Sequence, residues 1–88
     1  MTILQMMDLS TAHITQVTSE RLTLLDEIKS IYAVPHDFGW FVYVPDEIEP
    51  DTPLDLAEVM IYARRNKCSW IKFDCDGLVD ENLPVYNW

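Results

Sequence analysis

Trp40-Phe41-Val42-Tyr43-Val44 is a run of five residues, each aromatic or β-branched, closed by Pro45. Residues of this kind suit a pleated, half-buried surface, and a proline removes a ladder donor, so the run predicts a strand that stops at Val44. Alternate side chains point to opposite faces, which makes this strand apolar on both. A two-layer fold covers a single sheet face with helices, so the other face needs a cover of its own. Three candidates compete for it: the aromatic tail through Tyr86 and Trp88, a second copy of the chain, or a different partner.

The rest of the pattern supplies the layers. Residues 1–88 are enough for one domain, which hides about 60% of its extended-chain surface on folding and therefore has a thin core. Ile3 to Ser10, with Ile3, Leu4, Met6, Met7 and Leu9, reads as a short buried strand. Ser10, Thr11 and Thr15 offer hydroxyls that cap a helix, predicted from about Thr15 to Ser30 on the spacing of Val17, Leu24, Leu25, Ile28 and Tyr32. Tyr32-Ala33-Val34, Pro35 and the Asp37-Phe38-Gly39 turn then predict a hairpin into the Trp40 strand.

A second helix is announced by Thr52 as cap, Pro53 at its first position and Asp55 as a capping-box carboxylate, with Leu56, Val59, Met60 and Ala63 as its buried stripe. Asn66 reads as a left-handed cap at its end. Ser69 to Asp74 predicts a last strand, with Ile71 and Phe73 on one face and Trp70 and Lys72 on the other. The order β-α-β-β-α-β predicts an α+β fold on the split βαβ, ferredoxin-like plan: two helices on one face of a four-stranded, mainly antiparallel sheet.

Charge narrows the function classes. Fifteen Asp and Glu against six Lys and Arg give a net charge of −9, a field that repels phosphate backbones and anionic membranes. Direct nucleic-acid binding and membrane binding are therefore not expected. The carboxylates gather as Asp46, Glu47, Glu49, Asp51, Asp55 and Glu58, then as Asp74, Asp76, Asp80 and Glu81, with Arg64, Arg65, Lys67 and Lys72 between the two groups. Such clusters are most often a solvated surface, yet spaced carboxylates on a rigid face also imitate a phosphate backbone. No apolar stretch reaches the length of a membrane span and no signal-peptide pattern opens the chain, so a cytoplasmic location is expected. In that setting Cys68 and Cys75 read as reduced, buried thiols.

No chemical motif rises above its ordinary explanation. His13 among hydroxyls evokes a nucleophile and base, but Ser and Thr ahead of an amphipathic run usually cap it. Asp74-Cys75-Asp76-Gly77 opens like a calcium loop and then lacks the third oxygen ligand and the distal glutamate. His13, His36, Cys68 and Cys75 have no paired metal-ligand spacing, and two glycines are too few for a phosphate cradle. The sequence thus assigns no catalytic residue, no metal ligand and no cofactor. Trp40 and Trp70 read as core within strands, whereas Trp88 lacks an obvious structural role.

Ser10-Thr11-Ala12-His13-Ile14-Thr15, the run from Gly39 to Pro45, the run from Trp70 to Asp74 and the closing Leu83-Pro84-Val85-Tyr86-Asn87-Trp88 together resemble a family of small uncharacterised bacterial and phage proteins, a domain of unknown function. The family carries no activity to transfer. A phage origin, if implied by the resemblance, favours an inhibitor of a host nucleic-acid-binding defence protein that acts by charge mimicry. The expected function is accordingly a non-enzymatic acidic domain that binds another protein with a basic surface, through Asp46, Glu47, Glu49, Asp51, Asp55, Glu58, Asp74, Asp76, Asp80, Glu81 and Trp88. The alternative is a structural or regulatory homo-oligomer, such as a homodimer, paired through the exposed sheet face.

Overall fold

The computed structural model describes residues 2–23 and 31–88. Strand β1 (Met6–Ser10) passes through a single 3-10 turn (Thr11–His13) into helix α1 (Gln16–Thr23). Strands β2 (Ala33–His36) and β3 (Gly39–Tyr43) form the hairpin, and helix α2 (Leu54–Arg65) leads to strand β4 (Trp70–Asp74). Hydroxyls do cap the first segment: Ser10 Oγ accepts from the Ala12 N–H at 3.1 Å and Thr15 Oγ1 from the Thr18 N–H at 3.2 Å. Val17 is exposed rather than part of an inward stripe, and Leu22 enters the core instead. The stretch holding Leu24, Leu25 and Ile28, and with it the expected end of the helix at Ser30, lies outside the described residues.

The α+β class holds; the ferredoxin-like order does not. The strands lie in the order β1-β4-β3-β2, with β1 parallel to β4 and the other two pairings antiparallel. A split βαβ plan puts the first strand inside the sheet. Burial explains why this chain does otherwise: Ile71 and Phe73 of β4 and Val42 of β3 are fully buried and take the centre. β1, with exposed Met6 and Asp8, is left at one edge, and β2, whose Pro35 lacks a donor, at the other.

Register sorts the side chains into two faces. Met7 and Leu9 lie level with Ile71 and Phe73, which lie level with Val42 and Trp40. Against this face pack Leu56, Val59, Met60 and Ala63 of α2, the predicted stripe in full, together with Ile14, Leu22, Val44 and Leu83. The opposite face carries Met6, Asp8, Val34, Phe41, Tyr43, Trp70 and Lys72. Trp70, expected in the core, belongs to that second face, because it shares the parity of Lys72 rather than of Ile71.

Both ends of α2 depart from the local reading. Pro53 occupies the cap position without any side-chain cap, and Thr52 is buried rather than capping. Asp55 is used elsewhere, as described below. At the other end Asn66 is not left-handed, with φ −95°; Lys67 adopts φ 61° one residue later. Lys67 N–H then bonds Arg64 O and Cys68 N–H bonds Ala63 O, both at 2.9 Å, which closes the helix as a Schellman motif. The thiols also differ from expectation, Cys68 being half-buried and Cys75 exposed on the turn after β4.

The tail does not cover the second sheet face. Tyr86 N–H bonds Ala12 O at 2.8 Å and the Trp88 indole N–H bonds Ile14 O at 2.9 Å, so the tail is committed to the link between β1 and α1. Among the described residues no helix is long and apolar enough to cross a membrane.

Candidate functional site

The sheet face that the described residues leave open is built by four strands and one flanking residue. Trp70, the first residue of β4, joins its aromatic rings, with the Tyr43 ring 5.3 Å away and the Tyr32 ring 6.1 Å away, both in edge-on contact. Tyr32 is fixed beside β3 because its carbonyl accepts from the Tyr43 N–H at 3.0 Å. Met6, Val34 and Phe41 join Trp70 around a shallow apolar hollow of about 300 Å³. Met6 is 48% exposed, Tyr43 40% and Val34 39%, so the described residues leave this face open. Polar groups cross it in one row: Asp8 and Lys72 are register partners, and Lys72 Nζ lies 3.7 Å from Asp74 Oδ2.

None of these face residues was among the candidate binding residues read from the sequence, which were carboxylates and Trp88, although the exposed sheet face was itself expected as the alternative pairing surface. The signal was present in the apolar parity of Phe41 and Tyr43. It lacked the register of β1 and β4, which brings Met6 and Trp70 onto the same side.

The carboxylates singled out from sequence are not one array. Asp55 reaches from the first turn of α2 to the start of α1, where Oδ2 accepts from the Thr15 N–H at 2.7 Å and Oδ1 from the Thr18 hydroxyl at 2.8 Å. Its negative charge thus serves the amino ends of two helices. Asp80 accepts from the Asn82 N–H at 2.9 Å and from the Tyr62 hydroxyl at 2.8 Å. Asp46 pairs with Arg64 at 3.3 Å, and Arg64 also donates to Pro45 O at 2.6 Å. Asp74 is half-buried between Lys72 and the Asp76 N–H, which it accepts at 2.8 Å. Glu47, Glu49, Asp51, Glu58, Asp76 and Glu81 are exposed.

Two titrating groups report this packing. The Asn82 N–H, followed by the Tyr62 hydroxyl, holds the Asp80 carboxyl below its ordinary value. Burial pushes the Tyr86 phenol up, and the charges of Glu58 and Asp55 push it further. For Asp80 the sign is definite. Its contribution to stability is complete above the ordinary aspartate value and is lost as pH falls through the lower folded value. Asp80→Asn is therefore expected to flatten the acid limb of the stability profile in that window, as read from urea midpoints across acid pH.

His13 is not poised for chemistry. It is 1% exposed, and both ring nitrogens serve backbone: Nδ1–H donates to Pro84 O at 2.8 Å and Nε2 accepts from the Asp80 N–H at 2.8 Å. The accepted N–H fixes the tautomer. His13 is thus a clamp between the start of the chain and its tail. Among the described residues the one metal-like grouping is Asp74, Cys75 and Asp76, whose ligand atoms lie within 4.8 Å of one another. It is a turn closed by its own Asp74-to-Asp76 hydrogen bond, and no neighbouring feature points to an ion there.

A family profile described as "Family of unknown function (DUF5983) C-terminal domain" matches residues 6–88. No curated protein and no solved structure matches the chain.

Proposed function

The chain belongs to the family of unknown function (DUF5983) C-terminal domain, and on that premise we propose that it is a non-enzymatic domain that binds a protein of basic surface on the open face of its sheet. The carrying observation is the cluster of Trp70, Tyr43, Tyr32, Phe41, Met6 and Val34, held by strand backbone with no described residue over it. Aromatic and methionine side chains on a rigid frame give contact area with little ordering entropy, and such residues dominate the centres of protein interfaces.

Charge selects the occupant. A second copy brings another −9 to the contact, whereas a basic partner gains from the field. A narrower form of the reading makes the domain a mobile-element inhibitor in which the exposed Glu47, Glu49, Asp51, Glu58, Asp76 and Glu81 stand in for a phosphate backbone. The internal commitments of Asp46, Asp55, Asp74 and Asp80 lend that form less support than the aromatic face lends the broader one.

The test compares capture from host lysate by the wild-type chain and by Trp70→Ala, followed by affinity measurement on the purified partner. A basic partner whose affinity falls about 30-fold on Trp70→Ala, the scale of a hot-spot residue, is the expected result, with circular dichroism confirming the fold. Undiminished affinity in the variant removes the sheet face from the reading. A wild-type dimer that Trp70→Ala dissociates hands the face to a second copy and sinks the basic-partner reading.

A further inference from the structure

At the hairpin end of the sheet lies a second concavity, of about 480 Å³, lined by His36, Asp37, Phe38, Trp40, Cys75 and Trp88 among others. We propose that this pocket receives one cationic side chain, an arginine or lysine, of the basic partner; the inference rests on the basic-partner reading and names its anchor.

Three ring systems from distant parts of the chain meet here: Phe38 on the hairpin turn, Trp40 on β3 and Trp88 on the tail. The donor of Trp88 is already spent on Ile14 O, so what its ring brings to the pocket is π surface. His36 has no spare nitrogen: Nε2–H donates to Phe73 O at 2.9 Å, and Nδ1 accepts from the Phe38 N–H at 3.2 Å. Asp37 supplies a carboxylate, and among the described residues no Lys or Arg lines the pocket. Aromatic faces with one anion, in a chain of −9, attract a cation and repel an anion. The volume falls in the range of ligand clefts, about 300–1,000 Å³, and suits a single long side chain rather than a folded element.

One ring contact links the pocket to the open face. The His36 ring lies 4.7 Å from the Phe41 ring, so a partner resting on Phe41 and Trp70 is within reach of the hairpin end. Trp88, 52% exposed at its position in the tail, acquires a role that capping Ile14 O does not account for.

The test is an NMR titration of the full chain with three probes: Nα-acetyl-arginine amide, Nα-acetyl-lysine amide and the uncharged isostere Nα-acetyl-citrulline amide. Saturable shifts at the indole N–H signals of Trp40 and Trp88 are expected with both cations. Citrulline is expected to bind at least about tenfold more weakly, and Asp37→Asn, on an exposed turn, to weaken arginine about threefold to tenfold. Equal binding of citrulline, shifts spread without saturation over residues 46–58, or an Asp37→Asn variant of unchanged affinity overturns the proposal. Trp70-dependent capture of a basic protein alongside any of those results removes the pocket and leaves the docking face standing. Pocket binding without such capture does the reverse.

Discussion

His13→Ala is expected to destabilise the domain by about 3–4 kcal/mol. The imidazole is buried and joins two backbone groups far away in sequence, Pro84 O and the Asp80 N–H, each at 2.8 Å. Alanine leaves both without their partner, at about 1–3 kcal/mol for each buried group, and opens a cavity besides. A loss of that size is a large fraction of the roughly 5–15 kcal/mol available to any domain. Urea unfolding followed by tryptophan fluorescence measures it. Hydrogen exchange should quicken first at the amides of Asp80 and Tyr86, since the same clamp holds the tail against Ala12 and Ile14. A loss below 1 kcal/mol, with exchange unchanged, shows that Leu83 and the Tyr86 and Trp88 hydrogen bonds hold the tail without the imidazole.

Gly39→Ala is expected to be as severe, at about 3 kcal/mol or more, for a different reason. A Cβ on Gly39 runs into the carbonyl of Phe73 on the neighbouring strand and comes within 3.3 Å of Asp74 N. That carbonyl is not free to retreat, because it accepts from His36 Nε2–H. Relief requires β3 and β4 to part at the hairpin end, where Gly39 and Asp74 are register partners. Forced overpacking of this kind costs about 1–3 kcal/mol when side chains give way, and more when backbone must. Thermal unfolding measures the loss. The Cys75 N–H, bonded to Phe38 O at 2.9 Å, should lose its exchange protection in the variant.

The sequence was legible where local chemistry decides the structure. The Trp40 run became β3, the alternation of Ile71 and Phe73 became the buried face of β4, and Leu56, Val59, Met60 and Ala63 became the buried stripe of α2. It misled where a residue chooses a distant partner. Asp55 has the spacing of a capping box for α2, yet the amino end of α1 offers it two donors. Strand order is also a choice among distant partners: the segment Met6–Ser10 alone does not reveal that β4 rather than β3 lies beside it.

The tail illustrates the same limit. Its aromatic content pointed to the bare sheet face, and the backbone carbonyls of Ala12 and Ile14 claimed it instead. Displacement by a single residue is a lesser failure of the same kind, as with Lys67 taking the left-handed position that Asn66 suits by composition. At the candidate site, reading charge along the chain overstated the carboxylate array, because pairing to Arg64, Lys72, Tyr62 and the α1 amides is settled only in three dimensions.

The parallel pairing of β1 with β4 has a bearing on biosynthesis. Neighbours so far apart in sequence meet late, since the intervening loop must close before their contacts give any return. On the ribosome, Met6, Met7 and Leu9 emerge ahead of Trp70–Asp74 and find no adjoining strand until that segment has been translated. The nascent chain therefore carries an unpaired strand while residues 11–69 are made, an exposed edge of the kind that chaperones shield.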